Sequence, residues 1–269
     1  MVVFPNAKIN LGLNILSKRE DGYHDISSCF LPIGWRDILE AIPSEAFEFA
    51  SSGLDIPGET DSNLCVKAYE LMSQRHDVPP VKMHLHKVIP MGAGLGGGSA
   101  DGAFALKLLN ELFEIGLSEK QLESYAGELG ADCPFFIQNQ PKLVTGTGDV
   151  LVDLDFDLPE FRVLVVFPNL HVNTGEAFKQ IVPEEPVKNI STVLTEPIET
   201  WKENLLNDFE KPVFEQFPEI EDIKKRLYDM GAVYASMSGS GSAVYGLFSP
   251  HFDKTSFQNA FSKYTFFPV

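Results

Sequence analysis

A glycine-rich run from Gly92 to Ser99 has the composition of an anion-binding loop, with five glycines in eight residues. The backbone N–H groups of glycines can approach an anion because no Cβ atom stands in the way. A helix is predicted to begin near Ser99, and the free N–H groups and positive dipole end of a helix N-terminus favour negative charge. No Asp or Glu occurs from 78 to 100, in a chain of net charge −17. The run therefore predicts a phosphate-binding loop.

Other interpretations of this run imply other ligands or none. A Walker A loop is excluded, because no Gly-Lys-Ser or Gly-Lys-Thr closes the run. Gly92, Gly94 and Gly97 do match the dinucleotide pattern G-x-G-x-x-G, whose acidic ribose ligand ends the following strand about 20 residues on. Glu111 and Glu114 lie at about that distance, but in or just after a predicted helix. A nicotinamide-dependent oxidoreductase and a flexible glycine linker stay as alternatives.

Lys8, Asn10 and Asp132 are polar residues in otherwise apolar surroundings. Lys8 and Asn10 are two apart, so on a strand their side chains project to the same face. Asp132 comes just before Pro134-Phe135-Phe136, which suggests a carboxylate that is partly shielded from water. Such a carboxylate needs a partner, and Lys8 would be a suitable one. Taken singly, a solvated lysine and a polar turn residue are the alternatives.

Tyr23 and His24 follow the turn of a predicted β-hairpin. Strand-like apolar patterns cover 11–16 and 26–33, and the polar stretch 17–22 between them contains a turn dipeptide. An aromatic pair beside an exposed turn is either incidental or part of a binding surface.

The glycine loop lies between a predicted strand over 81–89 and a predicted helix over 100–113. On the strand, His84 and His86 share one face and invite a metal hypothesis. No third ligand is in view, which favours a surface pair.

Strands and helices are mixed along the rest of the chain, which predicts two α+β domains. The acidic stretch 153–159 is closed by a proline and marks the predicted boundary, giving domains 1–154 and 155–269. The further predicted elements are a helix capped by Asp61 or Ser62, a helix with a Ser118–Gln121 capping box, a helix from Glu219 to Gly231, and strands over 162–167, 234–237 and 243–248.

Composition excludes several classes of partner. The net charge of −17 argues against a nucleic-acid-binding face and against binding to anionic membranes. Cys29, Cys65 and Cys133 are isolated and lie among apolar residues, which predicts buried free thiols in a reducing compartment. The apolar N-terminal stretch is too short for a signal peptide, and no run approaches the roughly 20 residues of a membrane span. We therefore expect a cytoplasmic protein.

The motifs together resemble one superfamily. The glycine loop is similar to the second motif of the galactokinase–homoserine kinase–mevalonate kinase–phosphomevalonate kinase (GHMP) superfamily, and 237–243 is similar to its third motif. Ala7-Lys8-Ile9-Asn10-Leu11, Asp21-Gly22-Tyr23-His24 and 130–136 resemble the branch that phosphorylates the tertiary 2-hydroxyl of 4-diphosphocytidyl-2-C-methyl-D-erythritol in non-mevalonate isoprenoid biosynthesis. The resemblance runs from residue 7 to about 248.

The resemblance implies the two-domain α+β fold of these kinases, with an N-terminal ribosomal-S5-like β/α domain and a C-terminal ferredoxin-like domain. It implies ATP and Mg²⁺ as cofactors and a small cytidine diphosphate substrate, both bound between the domains of a monomer or homodimer. Asp132 would accept the proton of the substrate hydroxyl, and Lys8 would orient that hydroxyl and stabilise developing charge.

Further site residues are implied in the same way. Adenine would be bound by Asn63 and Lys87, for which a helix cap and a solvated lysine are the alternatives, and Ser99 would help to ligate Mg²⁺ or the phosphates. The phosphates would lie against Pro90, Met91, Gly92, Ala93, Gly94, Leu95, Gly96, Gly97, Gly98, Ser99 and Ala100. The substrate would contact Asn10, Tyr23, His24, Thr174, Phe178, Gly239 and Ser240, with Phe178 as the second aromatic face on the cytosine.

Two further alternatives remain within the superfamily. A non-catalytic ligand sensor would typically lack the base or the lysine, and here both Lys8 and Asp132 are present. A sibling kinase with another acceptor alcohol would lack the pair formed by Tyr23 and His24.

Overall fold

The computed structural model describes residues 1–156, 158 and 161–268. These residues form two compact units, and each unit is built from several stretches of sequence. The first unit consists of Met1–Lys8, Gly34–Met91 and Gly96–Gln140; the second consists of Ile9–Ile33, Gly92–Leu95 and the described residues from Pro141 onwards. The predicted domains, 1–154 and 155–269, are each one continuous segment, unlike these units. The boundary at 154/155 stays a prediction. Asp157 and Pro159 of the predicted linker lie outside the described residues.

The strands, in chain order, are β1 Val2–Val3, β2 Asn6–Lys18, β3 His24–Arg36, β4 Ile38–Pro43, β5 Glu48–Gly53, β6 Val81–Lys87, β7 Lys142–Thr145, β8 Val150–Asp153, β9 Arg162–Phe167, β10 Tyr234–Met237, β11 Val244–Phe248 and β12 Thr265–Pro268. The helices are α1 Leu64–Arg75, α2 Gly97–Leu112, α3 Glu119–Leu129, α4 Phe135–Gln138, α5 Thr174–Lys179, α6 Ile190–Val193, α7 Trp201–Asn204, α8 Glu210–Gln216, α9 Pro218–Asp229 and α10 Lys254–Ala260. The predicted α+β class is confirmed.

The strand that leads into the glycine loop is β6, and it belongs to the first unit. Its sheet has the order β1-β4-β6-β5, in which β6 is antiparallel to β4 and parallel to β5. Val81, Met83 and Leu85 are buried and alternate with exposed residues, as a strand with one covered face requires. A dinucleotide fold would need a parallel doubly wound sheet at this point. The mixed pairing of β6 therefore argues against the oxidoreductase alternative.

The hairpin predicted near the N-terminus is confirmed. Strands β2 and β3 are neighbours in a sheet of order β2-β3-β7-β8. The turn between them includes Gly22 with φ 88°, and Tyr23 N donates to the carboxylate of Asp21. This Asx-type contact fixes the turn that precedes His24.

The second unit has its core on the sheet β10-β11-β9-β12. Strand β9 is central, antiparallel to both β11 and β12, and its residues from Val163 to Val166 are buried, as its continuous apolar sequence predicts. Helix α9 contributes Ile220, Ile223 and Leu227 to the same core. Its spacing of three and four places these side chains on one face.

Most predicted helix boundaries are close to the observed ones. The Ser118–Gln121 capping box is present at α3. Helix α1 is capped by Asn63, whose side chain accepts from Cys65 N at 2.9 Å, so the prediction of Asp61 or Ser62 as the cap is wrong. Residues 60–62 instead form a short 3-10 turn before that cap. Helix α2 begins at Gly97, three residues earlier than predicted. The prediction is late because glycine in a sequence usually indicates a break in a helix.

The three cysteines are free and buried, as predicted. Among the described residues, no helix combines the length and the apolar composition needed to cross a lipid bilayer.

Candidate active site

Two glycines of the loop have almost no space beside their Cα atoms. Gly96 is the N-cap of α2 with φ 68°, and a Cβ there would lie 2.9 Å from the Phe136 ring and 3.1 Å from Lys8 Cγ. Gly94 has φ 77°, and a Cβ there would lie 2.0 Å from the carbonyl oxygen of Ser238. A side chain at either position would be strained and would clash. The loop therefore packs by its backbone, which leaves its N–H groups close to whatever it binds.

Within the first unit, the packing at Gly96 brings the end of the loop to the predicted catalytic pair. The stem of Lys8 lies against Gly96, and Lys8 Nζ lies 3.7 Å from Asp132 Oδ2. The Lys8 side chain is 5% exposed and the Asp132 side chain 35% exposed. The carboxylate can thus be reached from solvent, whereas the ammonium lies behind it.

Burial changes the pKa of Lys8. Burial lowers the pKa of Lys8 from its ordinary value, and the charge and hydrogen bonding of Asp132 oppose that decrease. A lysine with a lowered pKa is a closer match to proton-transfer chemistry near neutral pH than a solvated lysine is.

Asp132 is positioned by a turn between α3 and α4. Gly130 ends α3, and its carbonyl accepts from Cys133 N at 3.1 Å. Phe135 and Phe136 are fully buried at the start of α4 and hold the turn in place. Burial raises the pKa of the Cys133 thiol to about 11, so the residue next to the carboxylate is an inert thiol.

The second unit holds the middle of the loop through Ser238. Ser238 Oγ donates to the Gly94 carbonyl at 2.8 Å and accepts from Asn10 N at 3.3 Å. Ala243 N donates to the Ala93 carbonyl at 3.1 Å. The segment that resembles the third motif thus fixes the loop by hydrogen bonds.

Several predicted substrate residues lie together around this contact. A Cβ at Gly239 would lie 3.3 Å from Gly94 Cα and 3.5 Å from Asn10 Oδ1. Ser240 Oγ is 2.6 Å from Thr174 Oγ1, and either hydroxyl can donate. Two of the predicted substrate residues, Thr174 and Ser240, are therefore in direct contact.

Phe178 is stacked on an aromatic residue of the hairpin. His24 stacks on Phe178 with ring centroids 4.8 Å apart and planes at 15°, while the side chain of Tyr23 is 67% exposed. Burial lowers the pKa of His24 and Lys18 adds to this, which favours the neutral imidazole. In this structure Phe178 faces His24 itself, and its role opposite Tyr23 stays a prediction.

The two residues predicted to bind adenine are both engaged within the first unit. Asn63 caps α1 through its side chain, as described above. Lys87 has a fully buried side chain whose Nζ lies 2.5 Å from Asp37 Oδ2 and 2.7 Å from Asp101 Oδ2. Neither a solvated lysine nor a free side chain therefore describes Lys87. Its contact with adenine stays a prediction.

The sequence alone did not predict the residues that hold Asn10 and Lys87 in position by hydrogen bonds. Ser28 accepts from Asn10 Nδ2 at 2.8 Å and donates to the Gly12 carbonyl at 2.6 Å, so it fixes the Asn10 side chain. No sequence pattern links Asp37 or Asp101 to Lys87, which contacts both of them in the fold. Asp101 does carry a visible signal, since it is a lone acid in the first turns of an apolar helix.

The described residues contain no group of three or more His, Cys, Asp and Glu side chains suited to a metal ion. His84 and His86 both hydrogen-bond to Ser52 Oγ, at 3.1 and 3.0 Å. The Ser52 hydroxyl therefore bridges the two imidazoles.

Comparison with known proteins addresses the family. The sequence profile described as "GHMP kinases N terminal domain" matches residues 63–140, and that described as "GHMP kinases C terminal" matches 190–265. A protein named 4-diphosphocytidyl-2-C-methyl-D-erythritol kinase from Bacteroides fragilis is 50% identical over 267 residues, covering 97% of each chain. The chain belongs to the GHMP kinase family.

Solved structures agree with this membership. A crystal structure of 4-(cytidine 5'-diphospho)-2C-methyl-D-erythritol kinase is 31% identical, with a TM-score of 0.87 over 100% of this chain and 98% of that one. The mevalonate kinase of Methanococcus jannaschii is only 13% identical but has a TM-score of 0.76, covering 100% of this chain and 97% of that one. The second likeness shows the fold alone. The chain is thus an ATP-dependent kinase of the GHMP family, and the predicted family fold is confirmed.

The ion pair of Lys8 and Asp132 gives a prediction about charge. Replacing Asp132 with Asn removes a negative charge that raises the pKa of Lys8, so that pKa falls further below the ordinary lysine value. NMR titration of lysines labelled with ¹³C at Cε measures this, with the Lys8 signal assigned by its loss in Lys8→Arg. Exposed Lys225 serves as the internal control. An unchanged or higher pKa for Lys8 would mean that the two groups are not coupled.

Proposed function

We propose that this kinase transfers the γ-phosphoryl group of ATP to the 2-hydroxyl of 4-diphosphocytidyl-2-C-methyl-D-erythritol. The products are the 2-phosphate and ADP, and the reaction belongs to non-mevalonate isoprenoid precursor biosynthesis. The relatives that share 40–50% of their residues with this chain carry the name of that kinase. The observation that carries the chemistry is the Lys8–Asp132 pair, 3.7 Å apart, beside Gly96 at the end of the loop.

The geometry at Gly96 suits phosphoryl transfer, which asks a protein mainly for positioning and electrostatic stabilisation. The first turn of α2 has backbone N–H groups without intrahelical acceptors, and they favour an anion at Gly97, Gly98 and Ser99. The γ-phosphoryl group would lie near this turn. Asp132 and Lys8 would then be within reach of the attacking hydroxyl.

Asp132 and Lys8 have different roles in the transfer. The hydroxyl oxygen of the acceptor forms a bond to the γ-phosphorus while the bond from that phosphorus to the bridging β–γ oxygen breaks, and ADP leaves. The hydroxyl proton passes to Asp132, whose partly exposed carboxylate can meet the substrate. Lys8 orients the hydroxyl and offsets the negative charge that develops. A tertiary hydroxyl is crowded, so orientation matters more than raw acidity.

Mg²⁺ fits this site as an ion that arrives with ATP. Mg²⁺ usually keeps several waters and binds through substrate phosphates with one or two protein oxygens. The residue we assign to it is Ser99, in the first turn of α2. When bound, the ion would neutralise charge on the β- and γ-phosphates.

The substrate's cytosine would be recognised around the hairpin turn. Tyr23 offers an exposed ring, and neutral His24 offers both a donor and an acceptor for hydrogen bonds. Phe178 is already within stacking distance of His24. Asn10, Thr174, Gly239 and Ser240 are assigned to the remainder of the substrate.

We infer a cytoplasmic enzyme from its three buried, free cysteines, which suit a reducing compartment. We expect a monomer or a homodimer that binds neither nucleic acid nor membranes, given the net charge of −17.

The acceptor is tested by ADP release with ATP and Mg²⁺ in the presence of 4-diphosphocytidyl-2-C-methyl-D-erythritol, homoserine, mevalonate or galactose. We expect ADP release above background only with the cytidine diphosphate alcohol. Turnover with another alcohol alone would favour the sibling kinase. Tight binding of NADH by fluorescence, without binding of ATP, would reject the kinase mechanism.

Replacing Asp132 with Asn should leave ATP binding near the wild-type level while kcat falls by about 10²–10⁴-fold, because the base is lost and the shape is kept. Steady-state kinetics and ATP titration measure the two effects. Asp222→Asn, an exposed acid on α9, is the control and should behave as wild type. Unchanged turnover in Asp132→Asn would remove Asp132 from the mechanism.

Replacing Tyr23 with Ala should weaken binding of the cytidine substrate by about 1–3 kcal/mol, the contribution of one stacking contact, and leave the KM for ATP unchanged. Tyr23→Phe keeps the ring and should bind nearly as well as wild type. If the Ala variant weakened both ligands equally, the cytidine assignment would be wrong.

A further inference from the structure

Three ionisable side chains form a buried cluster beneath the start of α2, and we call Lys87, Asp37 and Asp101 the lysine triad. Lys87 Nζ contacts both carboxylates, at 2.5 and 2.7 Å. The side chains of Lys87 and Asp37 have no exposed surface, and that of Asp101 is 4% exposed. Removing three ionisable groups from water is costly, even when they are paired. Stability alone therefore does not explain why these three groups are buried together.

The triad joins the chain before the glycine loop to the chain after it. Lys87 is the last residue of β6, and Asp101 lies in the second turn of α2. Asp37, between β3 and β4, also accepts from the backbone N–H groups of Val88 at 2.5 Å and Ile89 at 2.8 Å. One ammonium group thus ties both flanks of the loop within the first unit.

The ammonium lies directly against the first residue of α2. A Cβ at Gly97 would be 3.0 Å from Lys87 Nζ and 2.9 Å from Ile89 Cγ2. The backbone donors of Gly97 and its successors belong to this same turn. Their position is therefore set by the side chains packed beneath them, which include the triad.

The electrostatics of the triad favour a polar role over simple packing. Asp101 Oδ1 is buried and has no hydrogen-bond partner in the described part of the chain. Burial raises the pKa of Asp101, and Asp37 adds to that against the pull of Lys87. Burial alone would lower the pKa of Lys87, but Asp101 and Asp37 outweigh it and hold it above the ordinary value. Cys65 of α1 also interacts electrostatically with the triad. An apolar residue at position 101 would avoid the cost of the unpaired oxygen.

We propose that Asp101 is a positioning residue for phosphoryl transfer, which acts through Lys87 and Asp37 to hold the first turn of α2 in register with the strand that enters the loop. The backbone donors for the ATP phosphates then have one fixed position before ATP arrives. The inference rests on the proposed binding of ATP by this loop and not on the identity of the acceptor alcohol.

The test compares substitutions at Asp101 with one at the other end of the same helix. Asp101→Leu keeps the branching at Cγ and replaces both carboxylate oxygens with methyl groups, whereas Asp101→Asn keeps an oxygen for Lys87. Asn110→Ala is the matched control, because Asn110 exchanges two hydrogen bonds with the backbone of Leu117 and does not touch the loop. The KM for ATP, the KM for the acceptor, the kcat and the melting temperature are measured for each full-length variant. Hydrogen–deuterium exchange of 88–99 is measured without nucleotide.

We expect Asp101→Leu to raise the KM for ATP about tenfold and to speed exchange in 88–99, with the acceptor KM unchanged, because a misplaced binding group loses affinity for its own ligand. Asp101→Asn should restore the wild-type KM to within about twofold, since a polar acceptor for Lys87 is present again. Asn110→Ala should lower the melting temperature without either effect.

The effects of Asp101→Leu and Asn110→Ala are compared relative to the melting temperature that each variant loses. The proposal is overturned if, on that basis, Asp101→Leu changes the KM for ATP and the exchange of 88–99 no more than Asn110→Ala does. It is also overturned if Asp101→Asn behaves like Asp101→Leu. Should Asp101→Leu fail to fold, Asp101→Ala, which also removes the acceptor, is interpreted in the same way. Faster exchange in 88–99 of Asp101→Leu together with an unchanged KM for ATP would instead count against ATP as the ligand of this loop, and so against the proposed function.

Discussion

The glycine loop depends on close packing at two of its glycines, where the space beside the backbone admits a hydrogen atom and nothing larger. At Gly96 that space is filled by Lys8 and Phe136, and at Gly94 by the carbonyl of Ser238. Positive φ angles at both positions add a second reason for glycine. Because the loop makes contact by its backbone, the side chain of Lys8 can lie against Gly96. A bulkier residue at Gly96 would push the first turn of α2 away from Lys8 and Phe136.

The polar residues around the loop are held by partners that are themselves buried. Asn10 is fixed by Ser28 and Ser238, and its carbonyl accepts from the Tyr245 hydroxyl at 2.6 Å. Lys87 is fixed by two carboxylates. Such arrangements limit the number of positions that a functional side chain can adopt. An active site that relies on positioning and electrostatics requires this restriction.

The sequence predicted those parts of the structure that have local causes. The capping box of α3, the hairpin turn at Gly22 and the buried strand β9 each follow from residues near one another in the chain. The glycine loop and its helix were predicted for the same reason. The start of α2 was placed too late, because glycine propensity does not include the packing that fixes Gly97.

The remaining features depend on residues that are far apart in the sequence. Shielding of the Asp132 carboxylate and family resemblance predict a contact between Lys8 and Asp132. The distance between the two charged groups depends on tertiary structure and cannot be predicted from the sequence. The partners of Lys87 come from the β3–β4 connection and from α2, and no periodicity links them. The stack of His24 on Phe178 likewise depends on tertiary structure, which joins positions 154 residues apart.

The three buried cysteines allow local unfolding of the protein to be measured by thiol labelling. Burial raises the pKa of Cys29 to about 12 and that of Cys133 to about 11, and it raises the pKa of Cys65 as well. Thiolates are the reactive form, so a thiol reagent meets almost no target in the folded chain. Cys29 belongs to the second unit, and Cys65 and Cys133 belong to the first. The labelling rate at each cysteine therefore reports how often its own unit opens, without any added probe.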